Sequence, residues 1–361
     1  MRVGVLTTSY PRDRDDWAGH FVRGFARWLH ASGHEVRVLC AAEGGRRRTE
    51  EEGIEVVRVP GRGLFYRGGA PEALGRVAAW AAAGPFVAEL GWHAARLARG
   101  VDAVVSHWLL PCGVLGCLVA RHRPHLAIAH SGDVHLLERL GEPALRGAVR
   151  LLTASGARVA FASAPLRDRL LRPARDGDRA RLIERSAVVS MGIDVEAVRP
   201  RRAREHVPGR LIVAFVGRRS PIKGLSVLDR AAAGLAGVEL RIAEGHVVGE
   251  DKRALLEQAD VLAVPSLDLP DGRTEGTPTV VLEGMAAGLA IVASRTGGIP
   301  DVVRDGENGC LVEPGDAAGL RTALLRLRDD AGLRARLSER ARAEAHRHDW
   351  SIVGPRLAAL L

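Results

Sequence analysis

A chain of 361 residues exceeds the length at which one hydrophobic core usually stops growing, so the sequence predicts two domains. Hydrophobic residues make up 47%, aromatic residues only 4%, and there are 42 glycines, which is typical of layered α/β domains and argues against an aromatic-rich β-sandwich or a disordered chain. The formal charge of +9 sits in the first part, where residues 1–200 carry 29 Lys and Arg against 21 acids, while residues 201–361 carry 23 against 22. Because no basic run is interleaved with aromatic residues, this charge argues against a nucleic-acid partner and favours an anionic membrane surface.

Almost all basic residues of the chain are arginines. Of 52 Lys and Arg residues, only Lys223 and Lys252 are lysines. Arginine and lysine are not equivalent in close contacts with phosphate groups, so a lysine in this chain indicates a specific role.

The cysteines and the apolar runs bear on metal sites and on location. Cys40, Cys112, Cys117 and Cys310 form no CxxC pair and have no histidine at metal-ligand spacing, so we expect buried free thiols, no disulfide framework and no metal. The N-terminal segment lacks the long apolar region of a signal peptide, and no run of 18 uncharged apolar residues occurs. We therefore expect a cytoplasmic protein, peripheral at most on the inner face of the membrane.

Short apolar runs alternate with helix-period segments through the first 200 residues. After a run at 3–9, a helix is predicted from about Gly19 to Ala31, with Gly33 placed to end it. The apolar stripe of that helix comprises Phe21, Phe25, Trp28 and Leu29. Further apolar runs follow at 35–40, 54–60, 102–108, 125–130, 158–163 and 187–192. Strands that are apolar on both faces and separated by helices predict a parallel sheet covered on each side.

Two further segments set the limits of this pattern. Residues 74–100 form the most apolar helical stretch, with Trp80, Phe86 and Trp92. We expect Gly84-Pro85 to interrupt this stretch. Its composition is compatible both with a core helix and with a helix that anchors at a membrane interface. At 199–210 the rhythm breaks into a proline-containing charge run and then restarts with a strand-like LIVAFVG. A helix is predicted at about Val280 to Ala287, between further apolar runs.

Two cations follow the restart strand. Arg218 comes directly after LIVAFVG, and Lys223 and Gly224 precede an apolar helix. A strand that leads through a glycine turn into a helix places backbone N–H groups and the positive end of the helix dipole beside these side chains. The pattern favours a diphosphate site over the structural alternative of an exposed basic turn, because lysine is so rare here.

Two glutamates are separated by seven residues in EGTPTVVLE. Glu275 precedes a tight Gly-Thr-Pro turn, where a ligand can approach, whereas Glu283 lies inside the predicted apolar helix. A carboxylate at the second position can accept hydrogen bonds from two adjacent hydroxyl groups, such as a ribose diol. A buried carboxylate needs a partner, so a satisfied ion pair in the core is the structural alternative for Glu283.

The first half offers four candidates. Gly19 precedes the first helix, where its backbone N–H can face an anion. His107 and His130 each follow a predicted parallel strand, at the edge of the sheet where ligands bind, and Asp133 comes three residues after His130. A single histidine there is usually structural, but the pair favours a functional site.

The second half contains a further pair of glycines, in SRTGGIPDVV at residues 294–303. These paired glycines allow a close approach of the backbone to a ligand.

Together and in this order, several segments resemble the retaining family 4 glycosyltransferases, or group 1, which have the GT-B fold. The resemblance covers nearly the whole chain, and the set is specific although no single segment is. These segments are FVGR with KG, EGTPTVVLE, SRTGGIPDVV, DGENGCLVEPGD, HWLLP, HSGDV and SMGIDVEAVRP. The resemblance implies an α/β chain of two Rossmann-like domains whose parallel sheets face a central cleft. Residues 1–200 would form the acceptor domain, residues 201–345 the nucleotide-sugar domain, and residues 346–361 a C-terminal helix packing back toward the first.

The resemblance also implies roles for the candidates. Arg218 and Lys223 would hold the donor diphosphate, Glu283 the ribose hydroxyls and Glu275 the hydroxyls of the transferred sugar. The implied donor site comprises Gly19, Arg218, Lys223, Glu275, Gly276, Thr277, Pro278, Thr279 and Glu283. The implied catalytic residues are His130, Arg218, Lys223 and Glu275, and His107 and Asp133 lie on the acceptor side.

Transfer in such enzymes resembles a front-face substitution without a protein nucleophile, in which cations and helix N-termini stabilise the departing diphosphate. No cofactor and no metal are implied. This sequence departs from the family between Gly245 and Gly249, where about 20 residues of helix and strand are missing, so we expect weaker recognition of the nucleobase.

The resemblance favours a UDP-sugar donor, with a GDP-sugar as the alternative, and a lipid-linked, polysaccharide or small-molecule acceptor of the kind used in cell-envelope polysaccharide synthesis. Two other functions stay open. One is a nicotinamide-dependent oxidoreductase, although no GxGxxG turn follows the first strand. The other is a nucleotide-binding GT-B protein that has lost catalytic activity.

Overall fold

The chain folds into two compact α/β units. The computed structural model describes residues 1–13, 16–61, 65, 77–200, 207–245, 247 and 249–361, and for residues 77–80 it describes the backbone alone. The first unit comprises Met1–Arg12, Ala18–Ser190 and Val353–Leu361, and the second comprises Asp13–Trp17 and Met191–Ile352. Parallel sheets in both units confirm the predicted fold class.

The division between the units falls after Ser190 rather than after residue 200. The reason is hydrophobic packing, since Ile193, Val195 and Val198 are buried in the core of the second unit. Residues 201–206 of the predicted proline and charge run lie outside the described residues.

The first unit contains an eight-stranded sheet in the order β3-β4-β2-β1-β5-β6-β7-β8. All pairs are parallel except β3 with β4. The strands are β1 Arg2–Leu6, β2 Glu35–Ala42, β3 Arg47–Glu51, β4 Ile54–Pro60, β5 Ala103–His107, β6 His125–Ala129, β7 Arg158–Phe161 and β8 Ser186–Val188. Every residue of β5 and β6 is buried, as expected for strands covered on both faces.

The sequence pattern gave no sign of β3. Its RRTEE residues are mostly exposed, and it pairs antiparallel with β4 at the edge of the sheet. Charged side chains are common on edge strands because they hinder pairing with another chain, and they remove the apolar signal from which a strand is predicted.

The helices of the first unit cover the sheet. They are α1 His20–Ala31, α2 Val77–Arg99, α3 Val114–Ala120, α4 Ser131–Arg139, α5 Glu142–Ala154, α6 Ala164–Leu171 and α7 Asp176–Glu184, and α13 Trp350–Ala358 continues into this unit at Val353. The predicted stripe of α1 is shifted, since the buried residues are Val22, Phe25, Ala26 and Leu29. Phe21 and Trp28 are partly exposed.

Helix α2 runs through Pro85, so the expected interruption at Gly84-Pro85 is wrong. Its buried residues recur with helical spacing on both sides of the proline, at Ala83, Phe86, Leu90, Ala94 and Ala98. Packing of this stripe in the core outweighs the hydrogen bond that proline removes from a helix. The other face of the helix is exposed, and Trp92 is 54% accessible there.

The second unit contains a five-stranded parallel sheet in the order β10-β9-β11-β12-β13. The strands are β9 Leu211–Gly217, β10 Val238–Glu244, β11 Val261–Val264, β12 Ala290–Ser294 and β13 Cys310–Val312. The helices are α8 Leu225–Ala232, α9 Gly249–Glu257, α10 Thr279–Ala286, α11 Ala317–Asp329 and α12 Ala331–Ala345. The carboxyl end of β9 and the start of α10 carry the candidates Arg218, Lys223, Glu275 and Glu283.

Candidate functional site

The glycine turn after β9 has the predicted form. A single turn at Pro221–Lys223 follows the strand, and Gly224 then adopts φ 65° at the start of α8. A Cβ atom on Gly224 would lie 1.8 Å from the carbonyl oxygen of Pro265, so both the backbone conformation and this contact require glycine. The close packing fixes where Lys223 leaves the turn.

Lys223 and Glu275, predicted to serve different parts of a ligand, form an ion pair with each other. Lys223 Nζ lies 2.7 Å from Glu275 Oε1, and their side chains are 17% and 12% exposed. The pair brings together two segments of the second unit that are 52 residues apart in the chain. A cation and a carboxylate therefore lie side by side, near the surface but mostly shielded from water.

Arg218 lies over the ring of Trp17, with 5.4 Å between the guanidinium carbon and the ring centroid. Segment Asp13–Trp17 belongs to the second unit, although it comes from the first part of the chain. A flat guanidinium over an indole face is a favourable cation–π arrangement, which restrains the orientation of Arg218. Trp17 was not among the predicted site residues, because its sequence context is a charged loop with no periodic pattern.

The segment Glu275 to Thr279 is held by the paired glycines of SRTGGIPDVV. Gly298 N–H donates to the Gly276 carbonyl at 3.0 Å, and Thr277 Oγ1 donates to the Gly298 carbonyl at 3.3 Å. A Cβ atom on Gly297, which has φ 56°, would lie 1.8 Å from the carbonyl oxygen of Glu275. Gly297 thus allows a close approach of its backbone to that of Glu275, and the approach of these glycines to a ligand stays a prediction. Pro278 directly precedes α10, and Thr279 is its first residue.

Glu283 is buried in α10 and forms an ion pair with Lys252. Lys252 Nζ donates to Glu283 Oε1 at 2.7 Å, and the side chains are 13% and 9% exposed. This is the ion pair that the sequence left open as the structural alternative. Lys252 was not among the predicted site residues, and the rarity of lysine in the chain is the one sequence signal that singles it out.

In the first unit, Gly19 immediately precedes α1 with φ 70°. A Cβ atom there would lie 2.2 Å from the carbonyl oxygen of Ser9, so glycine is required by the packing of this turn. The position at a helix N-terminus matches the prediction, and the contact with Ser9 gives an independent structural reason for the residue.

His107 and His130 lie together at the ends of β5 and β6. His107 Nδ1 and His130 Nε2 are 3.3 Å apart, and the rings of Phe21 and Trp108 lie 5.0 and 4.9 Å from the His130 ring. Burial in this aromatic cluster lowers the pKa of His130 to about 3, and burial together with the neighbouring imidazole lowers the pKa of His107 well below its usual value. Both rings are therefore neutral at pH 7.

Asp133 is buried and accepts three backbone hydrogen bonds. Its carboxylate accepts from the N–H groups of Leu109 at 2.5 Å, His130 at 3.0 Å and Val134 at 2.9 Å. Burial raises its pKa to about 7, against these hydrogen bonds, which lower it. Asp133 was predicted to lie on the acceptor side, and that role stays a prediction. Its contacts tie the start of α4 to the turn after β5, so it fixes the backbone beside His130.

The predicted residues form two groups, one in each unit: Gly19, His107, His130 and Asp133 in the first, and the residues from Arg218 to Glu283 in the second. Within the described ranges no group of three or more His, Cys, Asp and Glu side chains is placed to hold a metal ion. No helix in the part of the chain that the structure describes is long and apolar enough to span a membrane.

Two family models match consecutive parts of the chain. The model for Glycosyltransferase Family 4 matches residues 18–197, and the model for glycosyl transferases group 1 matches residues 195–330. Among curated proteins, the D-inositol 3-phosphate glycosyltransferase of Corynebacterium glutamicum is 31% identical over 220 residues, which cover 49% of this chain and 51% of that protein. The phosphatidyl-myo-inositol mannosyltransferase of Mycolicibacterium smegmatis is 38% identical over 130 residues, 36% of this chain and 32% of that one. The chain thus spans about half or less of the length of these relatives.

Solved structures match over the whole chain. Sucrose-phosphate synthase from Thermosynechococcus elongatus has a TM-score of 0.72 and 19% identity, covering 100% of this chain and 98% of that one. HepE from Anabaena, crystallised with UDP-glucose, has a TM-score of 0.67 and 18% identity, covering 99% and 98%. At these identities the similarity establishes the fold. The chain therefore has the GT-B fold and belongs to the family 4 glycosyltransferases of group 1.

Proposed function

We propose that this protein is a retaining glycosyltransferase that moves a sugar from a nucleoside diphosphate sugar to a hydroxyl group of an acceptor, without a metal ion. The observation that carries the proposal is the pairing of both lysines of the chain with the two glutamates of EGTPTVVLE. In the second unit Lys223 pairs with Glu275, Lys252 pairs with Glu283, and Arg218 precedes the glycine turn that carries Lys223. Cations that can face a diphosphate and carboxylates that can accept from sugar hydroxyls are both present.

In this proposal the transfer is a front-face substitution. The bond between the anomeric carbon and the diphosphate oxygen breaks, the bond to the acceptor oxygen forms on the same face, and the acceptor proton passes to the departing phosphate oxygen. Arg218 and Lys223 stabilise the negative charge that grows on the diphosphate. Glu275 accepts from hydroxyl groups of the transferred sugar, and the neutral imidazole of His130 serves as a hydrogen-bonding group rather than as a cation.

We favour a UDP-sugar as the donor, because HepE binds UDP and UDP-glucose and matches this fold over nearly its whole length. A GDP-sugar is the alternative. The relatives named for inositol phosphate and phosphatidylinositol act on hydroxyl-bearing rings, which supports an acceptor of that chemistry. The family match also supports a transferase over a nicotinamide-dependent oxidoreductase.

The proposal is tested by Lys223→Ala, with Arg219→Ala as the matched control. Arg219 is a basic residue four positions before Lys223, but its side chain is 85% exposed and pairs with Glu244. Removing the Lys223 cation should lower donor turnover at least about a hundredfold, because it removes a charge that acts on the leaving group. Arg219→Ala should retain turnover. The measurement is release of nucleoside diphosphate from UDP- and GDP-sugars by the folded variants.

Full turnover in folded Lys223→Ala would eliminate the proposed site. A wild-type protein that gains thermal stability from UDP or GDP yet leaves every donor intact would instead support a nucleotide-binding protein without catalytic activity.

We also propose peripheral contact with an anionic membrane through the exposed face of α2 and α3. Trp92 and Leu118 are 54% and 61% exposed, and Arg96 lies 4.8 Å from the Trp92 ring centroid. Nearby, Arg99, Arg121 and Arg123 line a cavity of about 350 Å³ with apolar neighbours. An apolar surface rimmed by arginine suits anionic headgroups.

The membrane contact is tested by sedimentation with phosphatidylglycerol vesicles at low salt. Wild-type protein should sediment with the vesicles, and the double variant Trp92→Ser, Leu118→Ser should not. Equal sedimentation of both would refute this contact.

A further inference from the structure

Strand β3 is an edge strand, since among the described residues it pairs with β4 alone. The two strands are joined by a two-residue turn at 52–53, where both residues have positive φ, 54° and 78°. A turn of this length is closed by a hydrogen-bonded pair, here Glu51 and Ile54, and hydrogen-bonded pairs then alternate along the two strands. The backbone N–H and C=O groups of Arg48 and Glu50 therefore point away from β4, toward the free edge of the sheet.

The side chains of β3 carry charges that match their own order in reverse. From residue 47 the strand reads two arginines, a threonine and two glutamates, and the first four of these residues are exposed. Within the described part of the chain no ion pair engages Arg47 or Glu50, and Arg48 meets Glu55 with 74% of its side chain still exposed. Accessible positive charge at the start of the strand is thus followed by accessible negative charge near its end.

Two copies of β3 fit edge to edge in one antiparallel register. With Thr49 on a two-fold axis, Arg48 lies opposite Glu50 of the second copy, and Arg47 lies opposite Glu51 of that copy. The outward backbone groups of Arg48 and Glu50 then face each other, so each copy both donates to and accepts from the other. Opposite charges directly across an antiparallel pair are stabilising, and like charges there are destabilising.

The order of the charges also disfavours the other ways of pairing. Only every second residue turns its backbone to the free edge, so the strands can slip by two residues but not by one. A slip in one direction places Arg48 opposite Arg48, and a slip in the other places Glu50 opposite Glu50. A parallel pairing in register sets every charge against its own copy. Charged side chains usually protect an edge strand from pairing, but here they leave one matching chain, a second copy of the same strand.

We propose that β3 is the contact surface of a symmetric dimer, in which the first sheets of two copies join edge to edge about Thr49. This interface goes beyond the proposed transfer reaction and does not depend on it. One short strand buries little area and its charges are exposed to screening ions, so we expect a weak dimer that dissociates as salt rises. The pairing uses the free edge of β3 in both copies, so association stops at two.

Charge reversal at the two residues that face each other tests the register. The measurement is sedimentation equilibrium at low salt, at protein concentrations up to about 500 µM, where a weak dimer is populated. Arg48→Glu and Glu50→Arg should each raise the dissociation constant at least about tenfold, because the two-fold axis makes each reversal act at two pairs. The double variant restores opposite charges and should dimerise within about threefold of wild type.

The matched control for these reversals is Arg199→Glu. Arg199 is 71% exposed and pairs with an exposed glutamate, as Arg48 does with Glu55, but it lies in the second unit. This variant should keep the wild-type dissociation constant. Urea unfolding shows that each variant is folded, and recovery in the double variant excludes unfolding as the cause of a loss.

A cysteine on the axis gives a second readout. In a Cys310→Ser background, chosen because the other three cysteines are buried, Thr49→Cys should form a disulfide between copies on mild oxidation with diamide. The reason is that opposed residues of a non-hydrogen-bonded pair lie about 4.5 Å apart between Cα atoms. Adding Arg48→Glu should suppress this cross-link, and adding Glu50→Arg to that variant should restore it.

The results that would overturn the proposal are distinct. A wild-type protein that stays monomeric at the highest concentration and low salt does not form this dimer. Association that neither reversal weakens must use another surface. A loss in both single variants without recovery in the double variant would mean that the copies attract each other through charge without pairing their strands. None of these results bears on donor turnover, so the proposed function is judged separately.

Discussion

At the scale of single residues, the second unit holds its candidate side chains with glycines that no other residue can replace. Gly297 is the clearest, because it combines a left-handed backbone with the contact to the Glu275 carbonyl. Its role follows from the residue it touches, and the sequence shows only that two glycines are adjacent.

We expect Gly297→Ala to lower the free energy of unfolding by at least about 3 kcal/mol and to abolish donor binding, because the new methyl group would displace Glu275. The matched control is Gly234→Ala. Gly234 has φ 66°, but nothing lies within 4 Å of its added Cβ atom, so only the backbone strain of about 1–2 kcal/mol applies. Urea unfolding and nucleotide calorimetry measure both effects. Equal losses at the two positions would show that the contact with Glu275 has no role.

At the scale of helices, the same substitution should have opposite signs at two glycines of the first unit. Gly147 lies on the exposed side of α5 with nothing within 4 Å of an added Cβ atom. Gly147→Ala should therefore raise the free energy of unfolding by about 1 kcal/mol, the difference in helix propensity. A decrease would mean that α5 is not helical at this position.

The contrasting helical glycine is Gly116 in α3. A Cβ atom there would lie 2.3 Å from Nε2 of His125, whose ring is buried and hydrogen-bonded to Ser106 Oγ at 2.8 Å. Gly116→Ala should lower the free energy of unfolding by about 2 kcal/mol, because side chains in a well-packed core must shift to make room for the added methyl group. Thermal unfolding monitored by circular dichroism shows whether each substitution raises or lowers the stability.

These elements show what a sequence can and cannot predict. Strands such as β5 and β9 were predictable because both faces are apolar, and the turn at Gly224 because strand, glycine and helix follow one another locally. The edge strand β3 and the pairing of Lys252 with Glu283 depend on contacts between distant segments, which leave no periodic pattern. The continuity of α2 was missed for a different reason, because its apolar stripe does continue past Pro85 but a proline usually ends a helix. For Asp133, the sequence showed a carboxylate next to His130, but only the fold shows that backbone N–H groups already engage it.

At the scale of the whole molecule, buried histidines make stability depend on pH. Burial lowers the pKa of His125 to about 4 and of His130 to about 3, and it lowers that of His107 as well. Between about pH 4 and pH 6.5 the unfolded chain binds protons at these three positions and the folded chain does not, so stability rises with pH. Asp133 acts in the opposite direction, because its raised pKa of about 7 means that the folded chain holds a proton that the unfolded chain has lost.

Three histidines make stability rise with pH and one carboxyl group makes it fall, so the net stability rises with pH. Near pH 5.5 the free energy of unfolding of the first unit should rise by about 2 kcal/mol per pH unit, since each net proton contributes about 1.4 kcal/mol per unit. Asp133→Asn removes the opposing carboxyl group and should make the dependence steeper. Urea unfolding at intervals from pH 4.5 to pH 7.5 measures both slopes. A flat profile in the wild-type protein would mean that the rings of His107 and His130 take up protons in the folded state, and with them a positive charge at the ends of β5 and β6.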